Sequence, residues 1–208
     1  MGRPPKFSRA QVQNAALVLV DQHGLDALTM RNVAAELGTG PMTLYGHVQD
    51  RADLEALVVD AVFSEVEIPT PAPDPATRIE DLCVAAWKVL RRHPHAARLT
   101  LTRRTDAPSA LRLGELLAVE LGTTTLTGRR LLVAFRVLLS LIVGSIESDL
   151  APVDPGDDER RVSVTESDYP ALAALSASSA RTTPEQLFRD TVRAGLVGVL
   201  PQASPDNI

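Results

Sequence analysis

The chain is poor in aromatic side chains and has a single cysteine among its 208 residues. With seven aromatic residues (one Trp, two Tyr and four Phe), a core has to consist mainly of Leu, Val and Ala, a composition that suits helices. Cys83 alone excludes an internal disulfide framework and fits a reducing compartment. The first residues, MGRPPKFSRAQ, show no apolar run of the secretory kind, so we expect a cytoplasmic protein.

Long apolar runs are also scarce, and one stretch alone resembles a membrane span. This stretch, LLVAFRVLLSLIVGSI at residues 131–146, is shorter than the roughly 20 residues that a bilayer requires, and it contains Arg136. A helix that is apolar nearly all round is more simply one buried on several sides. We therefore predict no membrane association and a central or subunit-interface helix from about Thr127 to Asp149.

The net charge of −5 is unevenly distributed along the chain. Residues 1–50 carry four basic and four acidic side chains, whereas the other 158 residues carry 17 basic and 22 acidic ones. Three of the four basic residues in the first segment are Arg3, Lys6 and Arg9. Because the charge of the docking face decides whether a protein binds a polyanion, the acidic total does not exclude DNA as a partner.

Helix start signals recur along the chain, and no segment alternates convincingly as a strand. Ser8 with Gln11 matches a capping box, and Val12, Ala15 and Leu19 follow at helical spacing. The pattern predicts an all-α chain of nine or ten helices. Further N-caps are predicted at Thr29, Asp50, Thr77 (in a box with Glu80) and Thr183.

A proline-rich segment divides the chain. The stretch IPTPAPDPA, residues 68–76, holds four prolines, and we expect no helix to cross it. It separates an N-terminal domain, residues 1–66, from a larger C-terminal domain, residues 67–208.

Residues 29–48 have the pattern of a helix-turn-helix unit. A short helix is followed by a tight Gly-containing turn and a second helix barely two turns long, in which Leu44 and Val48 are predicted to face inward. In such units the second helix enters the major groove of DNA. Tyr45 and His47 carry polar-tipped rings that can donate to phosphate oxygens without a formal charge.

The stretch LTMRNVAAELGTGPMTLYGHVQDRADL, residues 28–54, resembles the DNA-binding signature of the TetR family of bacterial transcriptional regulators. The resemblance covers roughly residues 8–62, and beyond it the chain is similar to the family only in the number and order of helices. Val48 stands where many members carry Phe. The matching positions are Gly24, Leu28-Thr29, Val33-Ala34, Leu37-Gly38, Leu44-Tyr45, His47, Arg51 and Leu54.

The resemblance implies a set of DNA contacts around the second helix. Residues 41–43 would meet base edges or a thymine methyl group, Tyr45 and His47 would hold phosphates, and Arg51 would grip the backbone. The implied contacts are, in chain order, Arg31, Thr39, Pro41, Met42, Thr43, Tyr45, His47 and Arg51.

Two features near this unit leave alternatives open. Arg3 and Lys6 form either a flexible arm on the duplex or a solvated tail. Gly46 departs from the family pattern, in which a bulkier residue is common, although a mid-helix Gly costs about 1 kcal/mol relative to Ala. Either the backbone approaches DNA closely at Gly46, or sequence specificity is weak there.

The resemblance also implies that the C-terminal domain binds an effector and forms a homodimer. Dimer contacts would come from the helices at about 127–149 and 184–200. Trp87 and Phe135 are core residues that could also line a pocket, with Arg136 as its polar point. His93 is interpreted as a helix-end residue, and since it lacks zinc-type spacing we expect no metal or cofactor.

The resemblance to the TetR family therefore favours a homodimeric regulator, usually a repressor, that binds a palindromic DNA operator and is released by a small-molecule effector. No catalytic constellation is present, so we expect no enzymatic activity. Two alternatives remain at this stage. The chain could be a helical small-molecule carrier or enzyme, although no catalytic constellation supports the latter, or a partner-binding adaptor that uses the apolar helix at 131–146.

Overall fold

The computed structural model describes residues 7–149, 168–179 and 181–200. Within these ranges the chain forms nine α-helices and four 3-10 helices, and they contain no strand, which confirms the all-α prediction. A 3-10 helix, Pro41–Gly46, lies between α2 and α3 and is called the two-turn helix below. The α-helices are α1 Arg9–His23, α2 Met30–Glu36, α3 Arg51–Ser64, α4 Pro75–Arg92, α5 Leu99–Arg103, α6 Pro108–Thr123, α7 Gly128–Asp149, α8 Pro170–Ser179 and α9 Pro184–Val199.

Most of the predicted N-caps are confirmed. Ser8 and Gln11 form the reciprocal capping box of α1, with the Ser8 backbone N–H donating to Gln11 Oε1 over 2.8 Å. The side chains of Thr29, Asp50 and Thr183 accept a backbone N–H at the starts of α2, α3 and α9. These short-range bonds satisfy donors that a helix terminus otherwise leaves free.

The capping box predicted at Thr77 is wrong. The N-cap of α4 is Asp74, whose Oδ2 accepts from the Thr77 backbone N–H at 2.9 Å and from the Thr77 hydroxyl at 2.8 Å. The helix starts earlier because Pro75 fits the first helical position, where its missing N–H is not needed. Glu80 is buried instead and pairs with Arg193 of α9 at 2.6 Å.

Helix α3 connects the two parts of the chain. It packs against α1 on one side and against α5 and α6 on the other. The buried apolar residues of the N-terminal helices and of α4, α5, α6, α7 and α9 form one continuous cluster. Helix α3, which directly follows the two-turn helix, therefore also packs against the C-terminal helices.

Helix α7 is the one described helix whose length and composition would allow it to cross a membrane, a property that it shares with core helices of soluble proteins. Its inward residues Ala134, Leu138, Ile142 and Ile146 are buried, and it packs against α4, α6 and α9. The helix predicted at 127–149 is thus present with nearly the expected bounds.

Candidate nucleic-acid interface

A tight turn places the two-turn helix beside α2. Gly38 has φ +62°, in the left-handed region that favours glycine, and the Thr39 N–H turns back to the Ala34 carbonyl at 2.8 Å. Pro41 opens the new helix, and the His47 N–H donates to the Leu44 carbonyl at 2.7 Å in the 3-10 pattern. The predicted second helix is therefore present as a 3-10 helix.

Two aliphatic side chains seat the two-turn helix on the protein. Leu44 is fully buried and Val48 is 1% exposed, which confirms their predicted inward placement. By contrast, Met42 is 81% exposed and the Tyr45 side chain is 54% exposed. The spacing of four between Leu44 and Val48 directs one face to the core and leaves the intervening residues to solvent.

The other sequence-predicted DNA contacts in the described part of the chain also lie outside the buried core. Arg31, Pro41 and Arg51 are exposed, while Thr39, Thr43 and His47 are half-buried. The Thr39 and Thr43 hydroxyls are joined by a hydrogen bond of 3.0 Å, which ties the turn to the helix. Arg3 and Lys6 lie outside the described residues.

Arg51 is tethered at the start of α3. Its Nη2 donates to the Leu25 carbonyl at 3.0 Å and its Nε to Glu55 Oε1 at 2.9 Å, yet half of its side chain stays exposed. The backbone N–H of Asp53 at this helix start is taken by Asp50. The exposed half of the Arg51 side chain leaves its guanidinium able to meet a phosphate at this point.

Glu55 itself is shared with the C-terminal helices, because its Oε2 accepts from Arg103 Nε at 2.9 Å. Partial burial alone would raise the pKa of Glu55. The hydrogen bonds and charges of Arg51 and Arg103 outweigh that effect and hold its pKa below the ordinary value of 4.5. The carboxylate is therefore ionised at neutral pH.

An apolar cavity of about 50 Å³ lies between α3, α4, α5, α6 and α7. Phe135 lines it, as the sequence predicted for a ligand site. Its polar points are Thr100 and Arg104, which sequence reasoning did not select. The remaining lining is Phe63, Ala86, Leu90, Leu101, Ala110, Leu113, Gly114, Leu117, Leu139, Ile142 and Val143.

The other two predicted ligand residues lie elsewhere. Trp87 stacks on Phe188 of α9 with 5.0 Å between ring centroids, and it faces a groove between α7 and α9 instead of the cavity. Arg136 is exposed on α7 and lines none of the four described pockets. Sequence spacing alone does not reveal which side of α4 or α7 faces the cavity, because both helices have neighbours on several sides.

His93 ends α4, as expected, but its ring contacts carboxylates instead of helix carbonyls. Nδ1 lies 2.8 Å from Asp21 of α1 and Nε2 lies 3.2 Å from Glu65 after α3.

Burial raises the pKa of the Cys83 thiol to about 12, so it stays protonated. The described residues contain no group of three or more His, Cys, Asp and Glu side chains that could hold a metal ion.

Comparisons with known proteins agree with this geometry. Residues 13–56 match the family model described as "Bacterial regulatory proteins, tetR family". The chain is 30% identical over 197 residues to the HTH-type transcriptional repressor DrrR1 of Streptomyces coeruleorubidus, covering 91% of this chain and 72% of that protein.

Solved structures show the same fold over nearly the full length. Apo ActR from Streptomyces coelicolor superposes with a TM-score of 0.77 at 25% identity, covering 96% of this chain and 97% of that chain. The same protein in complex with (S)-DNPA superposes with a TM-score of 0.74 at 26% identity, covering 94% and 99%. The chain therefore belongs to the TetR family of bacterial transcriptional regulators, which bind DNA through a helix-turn-helix and are not enzymes.

Proposed function

We propose that this protein is a cytoplasmic repressor that binds a near-palindromic operator as a homodimer and is released by a small molecule. The relative DrrR1 is named a transcriptional repressor. The observation that carries the proposal is the two-turn helix, which is anchored from below by Leu44 and Val48 while Met42 and Tyr45 are exposed. Such a helix can enter a major groove without exposing the core.

Each residue assigned to the DNA interface makes a particular kind of contact with the duplex. Met42 and its neighbours Pro41 and Thr43 meet base edges or a thymine methyl group. Tyr45 and His47 donate to phosphates, and Arg51 supplies a charged backbone contact beside them. Base contacts set the sequence preference, whereas phosphate contacts set register and salt dependence.

The homodimer forms through the outer faces of α7 and α9. Leu132 and Val133 of α7 and Leu187 of α9 are large apolar side chains that stay exposed in the protomer. Gly195 serves close packing within the protomer, because a Cβ there would lie 2.7 Å from Leu141 Cδ1. A Cβ at Gly198 would meet nothing within 4 Å, which leaves room for a partner helix.

The effector binds in the cavity between α3 and α7. Its wall is apolar apart from Thr100 and Arg104, so it suits a largely apolar molecule with an acceptor or a negative group. At about 50 Å³ the cavity has to widen on binding, and α3 forms part of its wall. A shift of α3 changes the spacing of the two reading heads, which sit about 34–36 Å apart.

Selection of duplexes from a random pool tests this function directly. The wild-type protein is expected to enrich a palindrome whose two half-sites lie about one helical turn apart. Met42→Ala should change the preferred bases without loss of fold, since the side chain is exposed. A small-molecule carrier or a protein adaptor would enrich no sequence, and that result would refute the proposal.

A further inference from the structure

Helix α5 is tied at both ends to different parts of the molecule. Arg98, just before it, pairs with Glu147 near the end of α7 at 2.6 Å. Arg103, in its last turn, pairs with Glu55 of α3 at 2.9 Å. Between these anchors, Thr100 and Leu101 line the apolar cavity. A helix of only five residues thus joins the cavity wall to the Arg103–Glu55 pair.

Glu55 divides its charge between two arginines. Oε1 accepts from Arg51 Nε and Oε2 from Arg103 Nε, each at 2.9 Å, and the Glu55 side chain is only 13% exposed. One guanidinium occupies each oxygen. If Arg103 withdraws, Arg51 can take both oxygens in a bidentate pair, which is the stronger arrangement.

We propose that Glu55 is a positioning residue for the DNA contact of Arg51, and that Arg103 sets how firmly Glu55 holds Arg51. This inference rests on the proposed function. A DNA phosphate competes with Glu55 for the Arg51 guanidinium. While Arg103 pairs with Glu55, the carboxylate holds Arg51 less firmly, and Arg51 is more easily released to the phosphate. When α5 moves away from α3, Arg103 leaves Glu55, and Glu55 then holds Arg51 away from the phosphate.

The test measures affinity for the duplex that the wild-type protein selects, over a range of salt concentrations. Glu55→Gln keeps the size of the side chain and removes its charge, so it should tighten binding about three-fold, the scale of one surface ion pair. The slope of log affinity against log salt should steepen by a fraction of the roughly 0.9 expected for one whole phosphate contact, because Glu55 no longer holds Arg51 back from completing that contact. A purely structural role for Glu55 would produce neither change.

A double-mutant comparison isolates Arg103. Arg103→Gln should weaken binding about three-fold in the wild-type background, on the same scale. In the Glu55→Gln background, Arg103→Gln should weaken binding no more than Arg112→Gln does. The Arg112→Gln control removes one exposed arginine from α6. Equal weakening by Arg103→Gln in both backgrounds would mean that Arg103 acts through its own charge or through folding, and the proposal would fail.

Two further outcomes are decisive. Unchanged or weaker binding by a folded Glu55→Gln variant, judged from its thermal melting curve, overturns the proposal. If that variant does not fold, Arg103→Gln is compared with and without Arg51→Ala, and equal weakening again overturns it. Failure of the proposed function looks different, since the wild-type protein would then select no duplex.

Discussion

Tyr45 and Arg51 offer a duplex two different kinds of phosphate contact. The Tyr45 ring is 54% exposed and ends in a neutral hydroxyl. Arg51 carries a charge, half of its side chain is exposed, and it is oriented by Leu25 and Glu55. A neutral donor adds hydrogen-bond energy, whereas a cation also releases condensed counterions from DNA.

This difference gives a prediction for the two residues. Tyr45→Phe should lower affinity for all duplexes by about 1 kcal/mol, the scale of one hydrogen bond, and leave the salt slope unchanged. Arg51→Ala should lower both the affinity and the slope, the latter by up to about 0.9, the value of one whole phosphate contact. Fluorescence anisotropy over a salt series distinguishes them. A slope change in Tyr45→Phe that equals the one in Arg51→Ala would contradict the assignment.

Substitutions at Leu44 and Met42 should differ in their effect on the stability of the fold. Leu44 is fully buried, so Leu44→Ala should destabilise the fold by about 2–5 kcal/mol through lost burial and a cavity. Met42→Ala is the matched control, because its side chain is 81% exposed and its loss should change stability by less than about 0.5 kcal/mol. Urea denaturation measures both. Similar losses would show that the two-turn helix is not seated as described.

Sequence reasoning succeeded at the residue scale where the signal is local. The inward placement of Leu44 and Val48 follows from helical spacing, and the caps at Ser8 and Asp50 follow from short side-chain-to-backbone bonds. It failed at Thr77, because Asp74 offers a competing cap three residues earlier and Pro75 permits the earlier start. Both signals are local, but only the folded helix shows which one is used.

At the scale of elements, α1, α3 and α4 meet at one polar cluster. The His93 ring lies between Asp21 and Glu65, and Arg92 also pairs with Glu65 at 2.8 Å. Partial burial alone would raise the pKa of Glu65. Its bonds to Arg92 and His93 outweigh that effect and hold the pKa below the ordinary value of 4.5.

The lowered pKa of Glu65 gives a pH prediction. A carboxyl whose pKa is lowered by folding stabilises the protein above its unfolded pKa of 4.5, and this contribution is lost as the pH falls through the lowered value. Because more than a third of the Glu65 side chain is exposed, screening limits the contribution to about 1 kcal/mol or less.

Thermal melts between about pH 3 and pH 7 test this prediction. Glu65→Gln should lower the melting temperature at neutral pH and flatten the acid limb below the ordinary carboxyl pKa. An unchanged acid limb in this variant would show that folding does not lower the pKa of Glu65, and would contradict the prediction.

The cavity could not be predicted from the sequence at this scale. Phe135, Thr100 and Arg104 come from α7, α5 and the short 3-10 helix Arg104–Asp106, and only tertiary packing brings them together. Trp87, which the sequence favoured, faces α9 because α4 is surrounded on several sides. The periodicity of a buried helix shows that it is buried, but it does not show which neighbour each face meets.

At the scale of the whole molecule, the outer surface of α7 decides whether two reading heads act together. Val133→Arg places a charge on an exposed apolar position of α7 that we assign to the dimer contact. It should yield monomers in sedimentation velocity and lower affinity for the palindrome about 100-fold or more, since the second head no longer binds intramolecularly.

Val119→Arg on α6 is the matched control for this prediction, because Val119 is similarly exposed but lies on another helix. It should leave both the oligomeric state and the affinity unchanged. If both variants remain dimeric, the assigned dimer surface is wrong.

Protection of guanine N7 from methylation on the selected duplex tests the central claim most directly, because N7 lies in the major groove. The account predicts two clusters of protected guanines on one face of the duplex, about one helical turn apart. The Met42→Ala variant should give a different protection pattern in both clusters. Protection confined to a single cluster, or intact N7 reactivity at a tightly bound site, would show that the two-turn helix does not enter the major groove.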